Sequence, residues 1–126
     1  MVDYIEKRKF RRFEVPDGKA KYKRIILSSI IKHFSDSCPV LNMGVGGTAF
    51  LSSEEFRNGE EIIIKLTAPN EKSVNLRSKV RWLGPITLSS DVIVGLEFME
   101  FGSSKDLNPP EALNLLRRLY ARYRRD

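Results

Sequence analysis

The sequence predicts a mainly β fold, a small antiparallel barrel of about six strands with a single helix packed on it. Three observations carry this. Short apolar or alternating segments recur from Lys19 to Phe98, separated by turn signals rich in Gly, Pro, Asn and Ser. One amphipathic segment with clear start signals follows them. At 126 residues the chain makes one domain, long enough to bury a core without staples.

Residues 1–13 are polar and basic with little periodicity, which predicts a flexible arm, or a short helix, leading into a domain over 14–126. Pro16-Asp17-Gly18 is a turn, since proline presets φ and glycine tolerates a positive one. Lys19 to Leu27 alternates at first, with Ala20, Tyr22 and, if the alternation continues, Arg24 on one side, as a half-buried strand does. Ile25 to Phe34 is apolar enough either to prolong that strand or to form a short helix, and its period does not choose between them. Past the Ser35–Pro39 loop, Val40-Leu41 opens a short strand ending at Asn42. Thr48 to Leu51 resumes after a glycine-rich turn.

Asn58-Gly59 is a turn before Glu61 to Leu66, EIIIKL, a β-branched run short enough for a buried strand. Val74, Leu76, Ser78, Val80 and Trp82 fall on one face of the next segment, Asn75, Arg77, Lys79 and Arg81 on the other, and Gly84-Pro85 is expected to end it. Val92 to Phe98 is the last strand, with Gly95 marking a bulge or a close approach. The helix is expected over about 108–125. Asn108 would cap it, Pro109 suits its first position and Glu111 completes a capping-box pattern. Leu113, Leu116, Tyr120 and Tyr123 supply an apolar stripe, and five arginines between 117 and 125 suit the negative end of the helix dipole.

Composition narrows the function. No apolar run approaches the ~20 residues needed to span a bilayer, and the N-terminus lacks the apolar stretch of a secretory signal. Cys38 is the single cysteine, so neither an intramolecular disulfide nor a cysteine-based zinc cluster is available, and a cytoplasmic setting is expected. The net charge of +6 is divided unevenly: residues 1–24 carry +5, residues 25–116 carry −3 and residues 117–126 carry +4. A basic head and tail around a mildly acidic body predict local capture of an anion. They do not predict a surface coated by nucleic acid.

Two stretches carry candidate chemistry. In Glu6–Phe13, Arg8 and Arg12 stand four residues apart with Lys7 beside them. In an extended chain they would point to one side about 13 Å apart, and in a helical turn they would be neighbours. Arginine forks suit phosphate oxygens and the O6/N7 edge of guanine, and their planes stack on bases. By itself such a run also serves as a solvated arm. In Leu41–Phe50, Asn42 precedes Gly44, Gly46 and Gly47. An amide at a strand end both donates to and accepts from a base edge, and a bare backbone lets a ligand lie close. A tight β-turn would use the same residues. No helix pattern follows, so this is no dinucleotide fingerprint, and the Lys-Ser/Thr of a P-loop is missing. Trp82 is open to two roles, core residue or stacking platform. His33 has no metal or nucleophile partner in the sequence, and no catalytic set stands out, so an enzyme is not expected.

Taken together these segments resemble the PilZ domain, the bacterial receptor module for cyclic di-GMP. That family carries RxxxR near its start and (D/N)xSxxG some thirty residues later. Arg8-Lys9-Phe10-Arg11-Arg12 matches the first and Asn42-Met43-Gly44-Val45-Gly46-Gly47 the second, with Gly44 where serine is usual. Val94–Phe98 is similar to the family's closing G-x-x-F strand. The resemblance implies a six-stranded barrel whose arm folds over cyclic di-GMP. Lys7, Arg8, Arg12, Asn42, Gly44, Gly47 and Trp82 would form the ligand site, with no metal and no further cofactor. Arg8 and Arg12 would hold guanine edges and phosphates, Asn42 would read a guanine, and Trp82 would flank the ligand. Binding would order the arm and alter the surface shown to a protein partner. Loss of the serine hydroxyl would weaken the site by about 0.5–1.5 kcal/mol, roughly two- to tenfold. The other reading of the same resemblance is an adaptor that no longer binds nucleotide and works through protein contacts. A third is a small nucleic-acid-binding barrel using the arginine tail.

Overall fold

The computed structural model describes residues 11–26, 29–30, 33–86 and 90–124. The described residues form strands β1 (Arg12–Phe13), β2 (Lys19–Ile26), β3 (Ser29–Ile30), β4 (Cys38–Gly44), β5 (Gly47–Ser52), β6 (Glu61–Thr67), β7 (Val74–Ile86) and β8 (Val92–Phe98), then helix α1 (Pro110–Tyr123). Six strands close into an antiparallel barrel in the order β4-β5-β8-β7-β6-β2. The seam is narrow: β2 returns to β4 through Lys19↔Pro39 and Ala20↔Cys38. The two-residue strands β1 and β3 add to β4 and β2 respectively.

Alternation fills the barrel. Ala20 and Tyr22 of β2, Ile62, Ile64 and Leu66 of β6, Leu76 and Val80 of β7, and Val94 and Leu96 of β8 are all buried. Phe50 of β5 sits fully buried with its ring edge against Phe56, which in turn meets Tyr22 edge-on. Each such side chain contributes about 1.5–3 kcal/mol by leaving water. Helix α1 adds Ala112, Leu115, Leu116 and Leu119 to the same core.

Several local expectations are corrected. The strand expected to stop at Gly84-Pro85 continues to Ile86. A register shift between Leu83↔Val94 and Ile86↔Val92 leaves Gly84 and Pro85 out of the ladder, so the missing proline donor costs nothing there. In the Pro16-Asp17-Gly18 turn it is Asp17 that takes the left-handed conformation, with φ of 62°. The apolar stripe of α1 is rotated from the expected one: Ala112, Leu115, Leu116 and Leu119 face the barrel, while Leu113, Tyr120 and Tyr123 lie at its margins.

Asn108 does not cap the helix. Pro109 occupies that position with no side-chain cap. The Asn108 side chain is buried at 2% exposure and behaves like a piece of strand. Its Oδ1 accepts from the Arg77 amide at 2.7 Å, and its Nδ2 donates to the carbonyls of Arg77 and Met99 at 3.0 Å each. The amide satisfies the edge of β7 where β8 has ended, and so fixes where the helix begins.

Candidate functional site

Phe13 and Arg12 alternate, and that alternation builds the first wall of the site. Phe13 is buried, its ring edge-on to Tyr120 of α1 with centroids 6.0 Å apart. Its burial ties β1 to the barrel and turns Arg12 outward. Register Arg12↔Gly44 and Phe13↔Met43 lays the arginine along the edge of β4. There Arg12 Nη1 donates to Asn42 Oδ1 at 2.7 Å. Asn42 itself is half-buried, and its carbonyl accepts from Thr48 Oγ1 at 2.6 Å, which ties the β4–β5 hairpin together beneath the pair.

The glycines of that hairpin are needed for space. Neither Gly44 nor Gly47 has a left-handed φ. A Cβ on Gly47 would lie 2.1 Å from the Leu96 carbonyl oxygen and 2.8 Å from Arg12 Nη2. The guanidinium therefore rests over bare backbone where β5 and β8 pair, Gly47 opposite Glu97. A Cβ on Gly44 would lie 2.9 Å from both the Arg11 carbonyl oxygen and Arg12 Cδ. The residue standing where serine is usual is thus the one against which β1 seats.

Trp82 is placed by a bulge. Val80 pairs with Leu96 and Trp82 with Gly95, so Arg81 is the extra residue and the face alternation reverses after it. Trp82 leaves the interior and lies across Gly95, where any Cβ would fall 2.2 Å from the indole nitrogen. Both roles of Gly95, the bulge partner and the close approach, are realised. The indole is half-buried and turned to the outside of the barrel.

Arg12, the Val45–Gly46 turn and Trp82 meet at a cleft of about 810 Å³, whose other wall comes from Phe98 to Phe101 after β8 and from Leu113 and Arg117 of α1. A volume of this size suits a drug- or nucleotide-sized ligand. Three arginines, Arg12, Arg81 and Arg117, stand against two glutamates, Glu97 and Glu100. Arg81 Nε holds Glu97 Oε1 at 2.5 Å, which neutralises the nearer acid. Among the described residues Arg117 makes no ion pair, so its charge is available to an anion.

Of the residues expected at the site, Arg12, Asn42, Gly44, Gly47 and Trp82 are brought together on one side of the barrel. Lys7 and Arg8 lie outside the described residues. Sequence reasoning missed Arg81, Arg117 and Phe101. Arg117 was legible only as a cation near the helix C-terminus; that it reaches the cleft depends on where Asn108 starts the helix. Among the described residues no group of three His, Cys, Asp or Glu side chains could hold a metal ion, and no helix is long and apolar enough to cross a membrane. A second recess of about 440 Å³ near Tyr22 includes Cys38, whose thiol pKa is raised chiefly by burial, the reverse of what a nucleophile needs.

A family model described as the PilZ domain matches residues 6–121. Among solved structures, that of the Bacillus subtilis inhibitor of motility (MotI/DgrA) is similar, with a TM-score of 0.62 and 16% identity. The similarity covers 92% of this chain and 50% of that one, so this chain spans about half of that protein's length. At such identity the likeness is one of fold. No curated protein matches in sequence.

Proposed function

From the premise that the chain belongs to the PilZ domain family, a family of cyclic di-GMP receptor and adaptor domains, we propose that this protein is a cytoplasmic receptor for cyclic di-GMP. It acts by binding and conformational change, not by catalysis. The observation that carries the reading is Arg12, which lines the cleft while bonded to Asn42 and packed over Gly47.

The chemistry follows from that pair. Cyclic di-GMP carries two phosphates and two guanines, and a guanidinium forks onto either a phosphate or the O6/N7 edge. Asn42 Oδ1 accepts one Arg12 donor and so fixes the plane of the fork beside the cleft. Trp82 offers an indole face to a guanine. Arg117 adds a third positive group from the helix side. Lys7 and Arg8 would complete the grip by the family motif. Since the arm, the barrel and α1 all border the cleft, occupancy would change the surface offered to a protein partner.

Calorimetric titration with cyclic di-GMP, with GTP as control, tests the reading. Saturable binding at micromolar or tighter affinity, absent for GTP and abolished by Arg12→Ala in a protein that still folds, is the expected result. Absence of binding up to high micromolar ligand would sink it and leave the adaptor. Gly44 is the residue that favours that second reading, because a ligand-facing hydroxyl is missing there and the space is filled by β1.

A further inference from the structure

On the outer face of the barrel, away from the hairpin that holds Asn42, the register of three neighbouring strands collects positive charge. Residues 19, 21 and 23 of β2, 63, 65 and 67 of β6, and 75 and 77 of β7 alternate with the buried positions and so point outward. Cross-strand rows read Lys19–Thr67, Lys21–Lys65–Asn75 and Lys23–Ile63–Arg77. Five cations stand in these rows with no carboxylate among them, and among the described residues none of the five makes an ion pair. The next row, Glu61–Lys79–Glu97, is acidic at both ends and bounds the patch.

Lys21 and Lys65 stand directly opposite one another. Like charges so placed destabilise a sheet. Among the described residues no carboxylate compensates for this pair, whereas an anionic partner would. The patch also carries apolar groups: half-buried Ile63 lies between Lys23 and Arg77 in the row next to the acidic boundary, and Phe34, from the loop after β3, stands against Lys23 and Lys65. Its ring has Lys23 Nζ 4.3 Å and Lys65 Nζ 4.5 Å from its centroid.

We infer that this face docks an acidic protein segment, a helix or extended strand that lays carboxylates against Lys21, Lys23, Lys65 and Arg77 and an apolar side chain on Ile63. Apolar surface set among cations lets one segment bury a side chain while its carboxylates meet the positive groups. Nucleic acid fits less well. Among the described residues the one aromatic ring on the face is already engaged by two ammonium groups, which leaves no stacking platform of the kind single-strand binders use. Four of the five cations are lysines, which lack the bidentate fork suited to phosphate. The three strands span about 10 Å at ~4.8 Å spacing, the width of one helix. The inference stands apart from the nucleotide reading, since none of these five cations lines the cleft.

A labelled peptide of alternating glutamate and leucine, measured by fluorescence anisotropy at physiological ionic strength, tests this against single-stranded DNA, duplex DNA and phosphatidylserine vesicles. The expected result is saturable binding of the peptide in preference to the other three. Lys65→Glu should weaken it at least tenfold, a loss the cyclic di-GMP titration would not share. The same substitution removes the Lys21 repulsion, so the melting temperature should hold or rise. Loss of binding therefore could not be ascribed to unfolding. Preference for either DNA or for vesicles would overturn the inference. So would peptide binding indifferent to Lys65→Glu, or a face covered instead by a second copy of the chain in sedimentation.

Discussion

Gly44 shows how one missing Cβ shapes the site. With glycine there, β1 approaches β4 closely enough for the Arg11 carbonyl and the Arg12 stem to fill the place of the absent side chain. Arg12 is thereby brought to Asn42 by the protein itself, with its fork oriented before any ligand arrives. Under the receptor reading such preorganisation would lower the entropic cost of binding and offset part of the lost hydroxyl. Gly44→Ser, which restores the usual residue, is expected to loosen β1 instead of tightening the site. Hydrogen exchange would show it as faster exchange at residues 12 and 13. Unchanged protection at those amides would mean that the close approach does not hold the arm.

Two elements carry consequences of their own. Asn108 closes the end of β7 with three hydrogen bonds in a buried setting. Asn108→Ala would remove the partner of the Arg77 amide and of the Met99 carbonyl, while the Arg77 carbonyl keeps the Met99 amide, at about 1–3 kcal/mol for a buried unsatisfied group. Denaturant unfolding should register that loss with little change in slope, and a loss well under 1 kcal/mol would contradict the assignment. Helix α1 is also latched to the β6–β7 loop, where Arg118 and Arg122 hold the two oxygens of Glu71 at 3.0 and 3.3 Å. Hydrogen bonding from Arg118, followed by the attraction of both arginines, keeps the Glu71 carboxyl below its ordinary value of 4.5 despite partial desolvation. A depressed native pKa means that the latch contributes fully above that value and is lost as the pH falls through the lower native one. Glu71→Gln should therefore lower the melting temperature at neutral pH and flatten its decline below pH 4.5. A parallel decline in both proteins would exclude the latch.

The whole molecule joins three separate stretches of chain at one cleft: the arm through Arg12, the barrel through Trp82 and Leu96, and α1 through Leu113 and Arg117. Phe13 against Tyr120 already links the first to the third. A ligand spanning the cleft would therefore restrain the helix as well as the arm. Saturating cyclic di-GMP is expected to slow amide exchange across residues 113–119 along with residues 12–13. Protection confined to the β4–β5 hairpin would mean that the helix takes no part in the response. On this scale part of the charge asymmetry finds its place. Of the basic head, Arg12 stands at the cleft and Lys19, Lys21 and Lys23 on the outer face; of the arginine tail, Arg117 lines the cleft and Arg118 and Arg122 hold the Glu71 latch.

What the sequence determined by itself was everything with a local cause. The strands from Lys19 to Phe98, the single helix, the glycine hairpin and the two motifs of the family are written in alternation, turn residues and short-range spacing, which act between neighbours in the chain. Tertiary structure alone decided which way the ambiguous residues face. The bulge opposite Gly95 turned Trp82 outward, though its spacing from Val80 placed it inside. The end of β8 left the edge of β7 to be filled by Asn108, though its sequence context is that of a helix cap. The register of β2, β6 and β7 set lysine against lysine, though each strand alone alternates in the ordinary way. Bulges, strand ends and register arise from pairing between residues far apart in the chain, where a shift of one position reverses a face. Local pattern has no access to that choice.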